Sequence, residues 1–202
     1  MSRKTKKEVI SEFRTGEILQ AARTIFARKG FHAATVDDIA AEAGVSKGTV
    51  YLYYPSKNDV YWAALKHGVR ALHETLQKDV AGAGAVKEKI DRFIAVKFRY
   101  FHENRDFFKI YLSEFGNTFC HPARLQKEFR ELYRTQARIL KAVLDEGVRN
   151  RELRSVPSEA VAYAITDLTR NVITHRLLGW SKRKIQDDIR FVSDLVWKGI
   201  GP

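Results

Sequence analysis

The stretch Thr35-Val-Asp-Asp-Ile-Ala-Ala-Glu-Ala-Gly44-Val-Ser-Lys-Gly-Thr-Val50-Tyr-Leu-Tyr-Tyr-Pro-Ser-Lys57 decides the fold. Thr35 and Asp38, three apart, have the spacing of a capping box that starts a helix. Asp37 and Asp38 add negative charge to its first turn, where the helix dipole favours it. Ile39, Ala40 and Ala43 make its inward face, and Ala40 is small enough for a second helix to approach. Gly44 ends the helix because it takes the left-handed conformation a tight turn needs. Ser46 caps the next helix, with Lys47, Gly48, Thr49, Tyr51 and Tyr53 outward and Val50 and Leu52 inward. Two short helices at a tight corner form a helix-turn-helix, and the second has the size and polarity to enter a DNA major groove.

Outward from this motif the pattern stays helical. Residues 2–8 read as a basic arm, and a first helix is expected from Glu12 to Lys29, with Ile18, Leu19, Ala22, Ile25 and Phe26 at helical spacing and Gly30 as its stop. Ser56 and Asp59 start a long helix over about 57–80 whose buried face is Leu65, Val69, Leu72, Leu76 and Val80. The run Ala81-Gly-Ala-Gly-Ala85 breaks it. Further helices are expected at about 86–103, 105–118, 122–149, 158–178 and 182–199. No strand-like alternation occurs, so the chain is all-α. The expected division is an N-terminal three-helix DNA-binding domain, 1–56, and a C-terminal helical domain, 57–202.

The run Gly44 to Lys57, with Ile18-Leu-Gln-Ala-Ala-Arg-Thr-Ile-Phe-Ala-Arg-Lys-Gly-Phe31 upstream, strongly resembles the DNA-binding signature and first helix of the TetR/AcrR family of bacterial transcriptional regulators. The resemblance is carried by about the first quarter of the chain. It implies that Thr35, Lys47, Thr49, Tyr51, Tyr53, Tyr54 and Lys57 stand at DNA-contacting positions. Ser46 and Gly48 complete the set, as the cap of the second helix and the point where its start presses against the duplex. Tyr54 has an equal reading as a core residue. Ser56 and Lys57 lie where backbone amides at a helix start also favour phosphate.

Residues 86–119 carry nine aromatics, more than two amphipathic helices need. An apolar ligand pocket is the expectation, since aromatics with a few polar groups line such sites. The resemblance points to the same region as an effector pocket. Phe101, Phe108, Tyr111, Phe115 and Tyr133 are the candidate lining residues. Asp167, Arg170, Asn171 and His175 sit on a largely apolar helix, as polar handles of a pocket, as satisfied packing or as dimer contacts. Val161, Ile165, Leu168 and Val172, with Ile185, Ile189, Val192 and Val196, step by four, three and four. Such seams suit half of a four-helix homodimer interface. The resemblance implies a dimer too, and one short recognition helix reads too few base pairs alone.

Charge and composition bound the rest. The net charge of +12 suits a polyanionic partner, but most of the excess lies beyond residue 60, so the motif rather than the charge locates DNA binding. The single cysteine, Cys120, excludes an internal disulfide and fits a reducing cytoplasm. No apolar run has the length of a membrane span. Catalysis finds no support: there is no Gly-x-Ser-x-Gly, no dinucleotide or phosphate loop with correct spacing, and no pair of histidines four apart for a metal. No cofactor, no metal and no enzymatic activity are expected. The sequence reads as a ligand-responsive regulator, a repressor that leaves double-stranded operator DNA when a small apolar or aromatic effector binds. The alternatives are a constitutive DNA-binding regulator and a helical small-molecule-binding protein.

Overall fold

Thr5 starts the first helix. Its hydroxyl accepts from the Glu8 amide at 3.3 Å and the Glu8 carboxylate accepts from the Thr5 amide at 2.7 Å. The computed structural model describes residues 5–82, 84–117 and 123–202, apart from the side chains of 7, 115–117, 123–126, 129 and 132. Among these residues there are nine α-helices and no strand. They are α1 (Lys6–Ala33), α2 (Val36–Glu42), α3 (Lys47–Tyr53), α4 (Lys57–Val80), α5 (Val86–Glu103), α6 (Arg105–Asn117), α7 (Ala123–Arg149), α8 (Ser158–Leu177) and α9 (Ile185–Ile200). The expected basic arm is thus corrected from Lys6 onward: those residues are the first turn of α1, while Arg3 and Lys4 lie outside the described residues. Cys120 and Phe119 lie outside them as well. Gly30, at φ 74° and ψ 169°, breaks the helical path of α1 where the sequence placed its stop.

The helices fall into two compact units. The first holds α1–α3, α4 through Val69, and α6 from Asp106. The second holds α4 from Arg70, α5, α7, α8 and α9. The division falls inside α4 rather than at the expected boundary after residue 56, because α6 completes the first unit. Tyr61 of α4 explains why. Its ring lies edge-on to Phe26 at 5.0 Å and to Phe31 at 5.1 Å, and its hydroxyl donates to the buried carboxylate of Glu114 on α6. Burial and that carboxylate push the Tyr61 hydroxyl pKa up. Gly68 gives the same packing its closeness, since any Cβ there would run into the Phe107 ring of α6.

The second unit packs α7 against α8 and lays α5 against α7, α8 and α9. Its core is Phe93, Ile94 and Phe98 of α5, Leu140 and Leu144 of α7, Ile165 and Ile173 of α8, and Val192 and Val196 of α9. Glu152 accepts from the Val86 amide at 3.1 Å and so serves the uncapped start of α5. The Arg176 guanidinium meets the buried Asp188 carboxylate at 3.2 Å and ties the end of α8 to the first turn of α9. No helix among the described residues is long and apolar enough to cross a membrane.

Candidate functional site

The corner between α2 and α3 is built by its caps. Thr35 accepts from the Asp38 amide at 3.1 Å, and Asp38 accepts from the Thr35 amide at 3.0 Å. At the other end Val45 donates to the Ala40 carbonyl and Gly44 to the Ala41 carbonyl, a Schellman closure with Gly44 at φ 64°. Ser46 then accepts from the Thr49 amide at 3.1 Å to start α3. These bonds use backbone and caps, and the Thr49 hydroxyl lies 2.9 Å from that of Ser46.

The outer face of α3 carries Lys47, Gly48, Tyr51 and Leu52, all exposed, with Thr49 and Tyr53 half-exposed and Val50 wholly buried beneath. Leu52, expected to face inward, is corrected: it is 80% exposed. At 100° per residue, position 52 points away from position 50, so burying Val50 turns Leu52 out. An exposed aliphatic side chain on a recognition helix suits the methyl group of thymine. Tyr54 ends α3 half-buried, and burial raises its pKa.

The cations around the corner are engaged in the free protein. Lys47 pairs with Asp37 at 2.7 Å, and Lys29 with Asp38 at 2.7 Å. The bond from Lys29, reinforced by Thr35, holds the Asp38 carboxyl down to about 2. Its contribution to stability is complete above its ordinary value of 3.8 and fades as the pH falls through about 2. Such exposed pairs are weak and readily exchanged for phosphate.

Lys57 differs. Its ammonium donates to the carbonyls of Phe31, Ala34 and His32 at 2.8, 2.8 and 3.1 Å, and lies 4.7 Å from the Phe31 ring centroid. All three of its protons are therefore taken by the chain that follows the break at Gly30. The structure turns Lys57 inward, away from the phosphate contact expected of it. Lys57→Ala should destabilise the first unit by about 2 kcal/mol and leave the salt slope of DNA binding unchanged. Thermal melting and a salt titration check this. An unchanged melting curve with a slope lowered by about one unit would restore the phosphate contact.

The candidate pocket residues divide. Phe108 and Tyr111 are buried in the first unit, with ring centroids 6.5 Å apart. Phe101 and Tyr133 belong to the second unit. Tyr133 stacks on Tyr163 at 5.8 Å and donates to Asp167 at 2.7 Å. The Phe115 side chain lies outside the described ones. Among the buried polar side chains of the second unit, the sequence does not single out Lys97, Gln136 and Thr166, which are buried without a hydrogen-bond partner among the described residues. The signal was there for the first: a lysine inside Phe93-Ile-Ala-Val-Lys-Phe98 has no polar face to occupy.

The seam expected on α8 and α9 is corrected at three positions. Ile165, Val192 and Val196 are buried in their own subunit. Val161, Leu168, Val172, Ile185 and Ile189 are half-exposed, and Phe191 and Leu195 are exposed. Among the described residues no group of three His, Cys, Asp or Glu side chains could hold a metal ion.

Residues 18–64 match the model of the bacterial regulatory proteins of the tetR family, and residues 83–174 match that of the tetracyclin repressor-like C-terminal domain. Together the two matches span more than half of the chain. The chain belongs to the TetR family. Like the rest of that family it is a DNA-binding transcriptional regulator and not an enzyme. Its relatives include the fatty acid metabolism regulator protein of Bacillus subtilis, 26% identical over 68% of this chain and 70% of that protein. Among solved TetR-like folds, Bacillus subtilis FadR in complex with stearoyl-CoA superposes with a TM-score of 0.77 at 22% identity, over 90% of this chain and 96% of that one. A transcriptional regulator from Saccharomonospora viridis in complex with choline superposes with a TM-score of 0.83 at 20% identity, over 95% and 99% of the two chains.

Proposed function

We propose that this TetR-family regulator is a repressor that binds palindromic operator DNA as a homodimer in the cytoplasm and leaves it when a small molecule enters the second unit. The observation that carries the DNA-binding half is α3 itself: Val50 buried, and Lys47, Thr49, Tyr51 and Leu52 presented on the outer face of a helix that Ser46 caps. The effector half is supported by relatives. FadR of Bacillus subtilis holds stearoyl-CoA, and the Saccharomonospora viridis regulator holds choline.

The dimer surface keeps the exposed part of the seam read in the sequence and adds the exposed apolar groups beside it on α9. Leu168 and Val172 of α8, with Phe191 and Leu195 of α9, are among the apolar groups left at the surface of these helices. Coupling runs through α4, one continuous helix that starts beside α3 and ends in the second unit. A shift of its far half changes the separation of the two recognition helices. The effector then weakens DNA binding by its differential affinity for the two states, about 1–3 kcal/mol.

Thr49→Ala and Lys47→Ala should change the preference among operator variants by about 1–3 kcal/mol at the base pair each one touches. Fluorescence anisotropy with single-substitution operators measures this. A uniform loss across all variants would assign both side chains to the backbone of the duplex and take sequence reading away from this face of α3. A constitutive regulator would show the same DNA results, with no ligand releasing the operator.

A further inference from the structure

Lys97 sits mid-way along α5, and none of its surface reaches solvent. Its ammonium lies 5.5 Å from the centroid of the Phe93 ring. Among the described residues nothing accepts a hydrogen bond from it. The side-chain amide of Gln136 on α7 and the hydroxyl of Thr166 on α8 are as fully buried and as unpartnered. The three helices pack on one another. Tyr133, one turn from Gln136, donates to Asp167, the neighbour of Thr166, at 2.7 Å. Asp167 and Arg170, themselves paired at 2.9 Å, are the charges that act on Lys97. The unpartnered groups thus stand on three helices that pack on one another, with Lys97 in electrostatic reach of the Asp167–Arg170 pair that follows Thr166 on α8.

Buried polar groups are almost always hydrogen-bonded, and an orphaned one is costly, a charged one more so. Three orphans from three adjacent helices mark a site built for a polar group that arrives from outside. Water would serve the amide and the hydroxyl, but it offers Lys97 no counter-charge, so burial pushes the lysine toward its neutral form. The charges fix the sign of what arrives. With Lys97 protonated, it and Arg170 are positive and Asp167 is negative, so one anionic unit completes the balance. The neighbourhood is apolar: Phe93, Ile94, Phe98 and Phe101 of α5 are all buried.

We infer that Lys97, Gln136 and Thr166 are the head-group site of an effector that is a carboxylate on an apolar body, paired to the Lys97 ammonium and accepting hydrogen bonds from the Gln136 amide and the Thr166 hydroxyl. The inference rests on the ligand-response reading and names the chemical class of that ligand. Burial pushes Lys97 down to about 7, ahead of the opposing pull of Asp167. At pH 8 the free protein therefore holds Lys97 largely neutral, and an arriving carboxylate restores its proton. An acid carried as a coenzyme A thioester would bring its anion as phosphates instead, several charges where the site balances one.

The test is calorimetric titration of the full chain at pH 8 without DNA. The probes are dodecanoate and 4-phenylbutyrate, their alcohols dodecanol and 4-phenylbutanol, and dodecanoyl-coenzyme A. At least one acid should bind tenfold or more tightly than its alcohol, with uptake of close to one proton read from buffers of different ionisation enthalpy. Lys97→Met should abolish that preference and the proton uptake while keeping the affinity for the alcohol. Replacing a buried unpaired charge with an apolar chain of similar volume should leave the melting temperature no lower. Thr166→Val should weaken the acid severalfold by a separate route. Equal binding of acid and alcohol, binding of neither acid, binding of the thioester alone, or a preference that survives in Lys97→Met would each overturn the assignment. DNA release is measured apart. Lys97-dependent binding of an acid that leaves the operator bound upholds the site and refutes ligand response. A ligand that releases DNA equally from parent and Lys97→Met upholds ligand response and refutes the site.

Discussion

A chain carrying Phe191→Glu and Leu195→Glu should sediment as a folded monomer and bind a palindromic operator at least about a hundredfold more weakly than the parent. The two side chains are 44% and 48% exposed in the single chain, one turn apart on α9. Glutamates there cost the isolated fold little. In a dimer they place unpaired carboxylates inside an apolar contact, which the contact does not survive. Val192→Glu is the wrong instrument, because Val192 is wholly buried in its own subunit and a charge there unfolds the chain. The loss of affinity follows from tethering. Once one recognition helix is bound, its partner meets the second half-site at high effective concentration, and a monomer loses that advantage. Analytical ultracentrifugation and circular dichroism establish the folded monomer, and anisotropy measures the operator. A double variant that stays dimeric moves the interface to another surface. A folded monomer with parental affinity overturns dimeric reading itself.

Asp188→Ala should cost about 3–5 kcal/mol of stability, because it strands the Arg176 guanidinium in a nearly dry place. The carboxylate is 2% exposed and the guanidinium side chain 16%. Arg176 keeps its bonds to the Arg183 carbonyl at 2.8 and 2.6 Å, but a carbonyl supplies no counter-charge. Asp188 also stands in the first turn of α9, where the helix dipole favours it. The melting temperature should fall by roughly 6–20 °C. A loss under about 1 kcal/mol would mean that the Arg183 carbonyl and solvent suffice for the guanidinium.

What was legible in the sequence was what local chemistry decides. Gly30, Gly44 and the caps at Thr35, Ser46 and Ser56 mark ends that the structure keeps, and α4 to α8 begin and end within a residue or so of their expected positions. The start of α1 was written in the same code, as Thr5 and Glu8 three apart, but the lysines around it drew the reading toward a basic arm. Direction was harder than position. Leu52 was assigned inward because it is apolar, although burying Val50 leaves it no inward course. Lys57 was assigned to phosphate because it is a cation at a helix start. Its three carbonyl partners come from the far end of α1, more than twenty residues away in sequence, and local reading does not see them.

The seam on α8 and α9 failed for a related reason. A four-three-four spacing says that one stripe is buried but not what buries it. Ile165, Val192 and Val196 face their own core, while the other five members of the stripe stay half-exposed. The pocket was sought among aromatics, which serve core and ligand alike. Lys97, Gln136 and Thr166 are more informative because a core has no use for them unpartnered.

Selecting bound duplexes from a random pool with this chain asks directly whether its dimer reads operator DNA through the outer face of α3. A dimer should select a palindromic consensus whose two half-sites are related by two-fold symmetry, with Thr49→Ala and Lys47→Ala each altering it at symmetry-related base pairs in both halves. A pool that shows no consensus, or a palindrome that both variants select unchanged, would contradict it.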